Sequence, residues 1–249
     1  MDWQGLIVFG CLVGVGLVYL GVRLNRTIVS LSGIILQLGA GALYLQSSWY
    51  PVRGMIFFNS YYLHCLLLSF SAWMSIFFLQ NKERVIREFR NGESDSPRAC
   101  SVLNSDRVMT GFLLPVALFW WYGGGLRDID MQMYPWNFEN GMLLYSATGS
   151  IGFGLLAEKL EWKSPQVMIF MHLPVIILLG ISAFLKLPAE GHLFSGWGWL
   201  AWGIALYTQY RILFSFGKKW RRFLLVVYHL STACVVITVI FHEINYFLN

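Results

Sequence analysis

Gly141-Met142-Leu143-Leu144-Tyr145-Ser146-Ala147-Thr148-Gly149-Ser150-Ile151-Gly152-Phe153-Gly154-Leu155-Leu156-Ala157 is the stretch on which the fold turns. It is short for a membrane span and carries Ser146, Thr148 and Ser150, so hydropathy alone leaves it open. A helix needs about 20 apolar residues to cross a hydrocarbon core of about 30 Å. Other stretches meet that need more plainly: roughly 5–22, 27–46, 61–80, 108–126, 167–185, 196–216 and 223–242. Charge decides the doubtful one. If residues 141–157 cross, alternate connections hold 14 basic residues on one side. These run from Arg23, Arg26 and Lys82 to Lys218, Lys219, Arg221 and Arg222. The other side holds Arg53, Arg127 and Lys186. If the stretch does not cross, the split becomes 9 against 8, with Arg211 inside a span left out of both counts. Positive charge gathers on the cytoplasmic side of membrane proteins. The reading is therefore an all-α, polytopic integral membrane helix bundle of about eight spans, with both termini outside. Helices are required because lipid offers no partner for free backbone groups.

Composition agrees. Charged residues are 12% of the chain, about half the usual share in a soluble domain, and apolar residues are 57%. The 249 residues suit one transmembrane domain, residues 1–249. A net charge of +5 would suggest nucleic acid in a soluble protein. Here the basic residues are interfacial, so membrane lipids with anionic headgroups at the cytoplasmic face are the expected partner, and nucleic acid is not. Cys11, Cys65, Cys100 and Cys234 form no Cys-x-x-Cys pair and read as small core hydrophobes. The start, Met1-Asp2-Trp3-Gln4, lacks the positive charge of a signal peptide, and Arg23 and Arg26 follow the apolar run. The first span therefore reads as retained.

The long basic connection, about 81–107, is read as cytoplasmic. Val85, Ile86 and Phe89 share a helical face, so the third helix is expected to continue to Asn91-Gly92. Residues 94–105 read as a linker. Small residues mark packing surfaces: Gly10 and Gly14, Gly39 and Gly41, Ser150 and Gly154. Packing inside one bundle is the plainer reading, and a homo-oligomer or a membrane-protein partner is the other. Pro115 and Pro174 lie inside spans and are expected to kink or open them.

Polar residues at one depth are the first candidate site. His172, Gln209 and His229 each lie five to seven residues from the basic end of their spans. That is about 8–10 Å below the interface. Thr232 is one turn from His229. Such residues usually face the bundle interior. They would form a substrate or proton pathway opening on the cytoplasm, with the two imidazoles as proton acceptors. The plainer alternative is buried interhelical hydrogen bonds. The second candidate is the outer connection Gly123–Glu139. Asp128 and Asp130 there would hold a divalent cation or act catalytically in a glycosyl- or acyltransferase, beside Tyr134, Trp136 and Phe138. An interfacial loop with an aromatic belt is the alternative. His64, His192, His242 and Glu243 also fall near the outer side. They come from distant connections, and no metal or cofactor is assigned. No phosphate-binding loop, nucleophile elbow or zinc-protease motif occurs. Carboxylates are absent from the spans apart from Glu158 at the end of one.

Two stretches carry a resemblance. Gly33-Ile34-Ile35-Leu36-Gln37-Leu38-Gly39-Ala40-Gly41-Ala42-Leu43-Tyr44-Leu45 is one. Gly196-Trp197-Gly198-Trp199-Leu200-Ala201-Trp202, with the Tyr-rich helix after it, is the other. Both resemble bacterial membrane proteins of domain-of-unknown-function family 2339. The resemblance implies a many-helix protein of the bacterial inner membrane and supplies no catalytic residues. Members of that family are typically longer, with more spans. The function expected is an envelope component or assembly subunit without enzymatic activity. A transporter or flippase is the alternative, and a membrane glycosyl- or acyltransferase the third.

Overall fold

A computed structural model describes residues 3–47, 55–82, 99–133, 137–162, 164–185, 193–194, 196–216 and 222–248. Among them the chain is helical, apart from an isolated bridge between Met55 and Phe58. The helices are α1 (Trp3–Arg23), α2 (Thr27–Ser47), α3 (Ser60–Gln80), α4 (Ala99–Met133), α5 (Phe138–Lys159), α6 (Gln166–Leu185), α7 (Gly198–Phe216) and α8 (Arg222–Leu248). By length and composition α1, α2, α3, α4 and α8 are apolar enough to cross a membrane, and α6 is apolar over Gln166–Ser182, as far as its side chains are described. Such helices fit a membrane protein. The more polar α5 and α7 fall short of the same measure: α5 mixes Tyr145, Ser146, Thr148 and Ser150 with glycines between Asn140 and Glu158, and α7 carries Gln209 and Arg211.

The contacts divide the chain into two compact units, Met1–Met131 and Gln132–Asn249. In the first unit, α1 lies along α2 and also packs on α3. The turn between α1 and α2 is set by Asn25 in the left-handed region, φ 53°. The Arg26 N–H returns to the Gly21 carbonyl and the Asn25 N–H to Val22, which closes the helix end. Glycine then lets the two backbones touch. A Cβ on Gly33 would lie 2.5 Å from the Gly14 carbonyl oxygen, and one on Gly21 would lie 2.5 Å from the Ser30 nitrogen. Gly10 faces Ala40 and Gly41 faces Trp120, whereas Gly39 looks into open space. Among the described residues no atom packs against Gly39, and the close approach belongs to Gly14, Gly21 and Gly33. Ile7, Cys11, Ala40, Tyr44, Cys65, Leu68 and Trp120 form the core here.

Helix α4 departs most from the sequence reading. It has 35 residues, about 52 Å at 1.5 Å per residue. It begins inside the expected linker and runs through Gly123-Gly124-Gly125 to Met133, so Arg127, Asp128 and Asp130 stand on a helix and not in a loop. The middle glycine has a packing reason. A Cβ on Gly124 would lie 2.5 Å from the Cβ of Cys65 on α3, so glycine brings α4 against α3. The Ser69 hydroxyl also donates to the Ala117 carbonyl across this contact. Both α4 and α6 run on through their prolines. The ion pair Lys82–Asp106, 3.0 Å, ties the end of α3 to α4. Helix α3 itself ends at Gln80, where the Asn81 N–H caps the Phe77 carbonyl. The expected extension over Val85, Ile86 and Phe89 lies outside the described residues.

In the second unit α5 packs on both α6 and α7, and α8 packs mainly on α6. The small buried residues of α5, Ser146, Ala147, Gly149, Ser150 and Gly154, give these neighbours their close seat. The Ser150 hydroxyl donates to the Met168 carbonyl on α6. Helix α5 ends as α1 does. Glu161 takes φ 50°, and the Trp162 N–H returns to Ala157 and the Glu161 N–H to Glu158.

Candidate functional site

His172 sits at the meeting of three helices and is fully buried. Its Nε2 lies 3.1 Å from the Ala205 carbonyl of α7, which can only accept. The proton is therefore on Nε2, and Nδ1 is the acceptor for the Ser146 hydroxyl of α5 at 3.0 Å. One side chain on α6 thus joins α5 to α7 through both ring nitrogens.

Gln209 stands one turn beyond Ala205 and is also fully buried. Its Nε2 donates to the Thr232 hydroxyl of α8 at 3.2 Å. The Thr232 proton goes to the Tyr228 carbonyl at 2.7 Å, which fixes the direction of the amide. The Gln209 Oε1 has no hydrogen-bond partner among the described residues. Tyr228 in turn donates to the Phe170 carbonyl at 2.8 Å, so α8 is pinned to α6 as well as α7. The structure thus gathers His172 and Gln209 along α7 and leaves His229 out. His229 is exposed, on another face of α8 from the buried Tyr228, Val235 and Val239. Thr232, expected beside His229, serves Gln209.

Asp128 is fully buried in the first unit and holds the turn that precedes α3. Its Oδ2 accepts from the Phe57 N–H at 2.7 Å, and its Oδ1 accepts from the Asn59 amide. Asn59 caps α3 by accepting from the Tyr62 N–H at 2.8 Å. Phe57 is held at φ 63°, a conformation rarely adopted by a bulky residue. The Arg127 guanidinium lies 4.7 Å from the centre of the Tyr61 ring. Asp130 is exposed and does not join Asp128. Asp128 thus has the geometry of a structural clamp. Tyr134, Trp136 and His192 lie outside the described residues.

His64 stacks on the rings of Trp3 and Tyr44. Glu243 accepts from the Phe194 N–H at 3.2 Å. No cluster of three or more His, Cys, Asp or Glu side chains is placed to hold a metal among the described residues.

Sequence reading missed the partners. Asn59 had a signal, a polar cap just before an apolar run. The Gln37 amide donates to the Ser75 hydroxyl at 2.7 Å, a buried α2–α3 bond whose donor was visible as a lone amide in a span. Ser146 as the partner of His172 had no signal, because helix neighbours are not written in spacing.

No family model, curated protein or solved structure matches this chain.

Proposed function

We propose that the chain is a non-enzymatic, eight-span component of a membrane assembly in a bacterial cell membrane. In this reading the basic connections face the cytoplasm and both termini face out, and α5 and α7 cross as part of the bundle. Membership of family 2339 belongs to the same proposal and is carried by the two stretches quoted above.

The observation that supports an assembly role is His229. It lies seven residues beyond Arg222, about 10 Å along α8. It shares an exposed band with Leu230, Ile237, Ile240 and Ile244. It has no hydrogen-bond partner among the described residues. An ionisable group on a lipid-facing surface is costly, and such groups nearly always face protein or water. A partner helix with a hydrogen-bonding group at that depth removes the cost. The buried polar side chains support the same reading, since His172, Gln209 and Asp128 hold helices and turns together.

The test is native mass spectrometry of the protein extracted gently from its own membrane, beside His229→Leu. A membrane protein or second copy at fixed ratio, lost in the variant, supports the proposal. A wild-type chain that travels alone sinks it.

A further inference from the structure

Between the last turns of α5 and α7 lies a groove with chemistry of its own. Gly154 and Glu158 line it from α5, and Thr208 and Arg211 from α7, with Leu155 and Ile212 as apolar wall. Gly154 and Glu158 are one turn apart, as are Thr208 and Arg211, so each helix offers one stripe. The groove has about 40 Å³ of room for water-sized atoms. That is enough for about three waters or a phosphoryl oxygen, so a ligand enters by one such group and lies for the rest across the mouth. Its mouth is open.

Three observations point to a ligand. Thr208 is fully buried, yet its hydroxyl has no hydrogen-bond partner among the described residues. Thr148, Thr232 and Thr238 each return their hydroxyl to the carbonyl one turn back, and Thr208 does not. Glu158 and Arg211 stand exposed at the mouth with opposite charges and form no ion pair with each other. The groove also opens where α5 and α7 end, and helix C-termini carry partial negative charge that favours a cation.

A ligand that answers all three has an anion and an ammonium a few atoms apart, with an apolar tail. We propose that the groove seats the headgroup of a phospholipid bearing a primary amine. Its phosphate accepts from Arg211 and the Thr208 hydroxyl, its ammonium donates to Glu158, and an acyl chain lies along Leu155 and Ile212. A choline headgroup has no N–H for Glu158, and a glycerol headgroup has no cation. The proposal depends on the membrane setting and not on an assembly role, so the two fail separately.

The experiment is native mass spectrometry of delipidated protein titrated with phosphatidylethanolamine, phosphatidylcholine and phosphatidylglycerol of the same chain length. Phosphatidylethanolamine should bind about tenfold more tightly, the size of one charge-assisted hydrogen bond. Glu158→Gln should erase that preference, and Arg211→Ala should weaken all three lipids alike. Thr208→Val should weaken them where Thr208→Ser does not. If Thr208→Val fails to fold, the two exposed-site variants carry the test. Equal binding of the three lipids overturns the proposal, as does a preference that survives Glu158→Gln. Binding of soluble glycerophosphoethanolamine as tight as that of the lipid overturns the lipid assignment.

Discussion

Replacing Gly33 with alanine should loosen the α1–α2 hairpin. The added Cβ would lie 2.5 Å from the Gly14 carbonyl oxygen and 2.9 Å from the Val18 nitrogen. Both are backbone atoms inside a helix, so neither rotates away. An ordinary contact begins near 3.4 Å, so the helices must part by almost 1 Å. A gap of that size forfeits a quarter to a half of each affected contact. Overpacking of this kind costs about 1–3 kcal/mol. Alanine returns about 1 kcal/mol of helix propensity. The net expectation is a loss of up to about 2 kcal/mol. Gly39→Ala is the matched control on the same helix, because no described residue lies within 4 Å of its Cβ position. It gains propensity without a clash and should be neutral or stabilising. The assay is reversible unfolding in mixed micelles, with both variants measured beside the parent. Equal stability of the two variants would refute the close α1–α2 approach.

Two further perturbations probe the clamps. Asp128→Ala strands the Phe57 N–H and the Asn59 amide, which should cost about 3 kcal/mol in the same unfolding assay, and Asp128→Asn less, since it keeps one acceptor. An Asp128→Ala protein as stable as the parent would show that the turn before α3 does not depend on it. Glu161→Gly should stabilise by about 1 kcal/mol, because Glu161 closes α5 at φ 50° and glycine carries no Cβ penalty there. Glu161→Ala, which keeps the penalty, should bring no gain; a gain equal to that of glycine would contradict the cap geometry.

The helices were legible because lipid leaves the chain few choices. Spans of apolar residues near Trp3–Arg23, Thr27–Ser47 and Ser60–Gln80 can only be helices, and the arginines and asparagine after α1 mark its turn. The ends of α4 were not legible, for a physical reason. Gly123-Gly124-Gly125 reads as a loop because glycine costs a helix conformational entropy. Contact with Cys65 offsets that cost, and tertiary contact is invisible to local propensity. Counting rise per residue places His172, Gln209 and His229 at a common depth, but depth is an axial coordinate and function depends on the angular one. His172 and Gln209 turn toward neighbouring helices and find partners there, while His229 turns away from the buried stripe of its own helix. The apolar residues around a membrane helix differ too little to fix that angle, because lipid and core are equally apolar. A polar residue at such a depth therefore announces that a partner is needed. Which helix supplies it is decided by packing, and for His229 the described residues supply none.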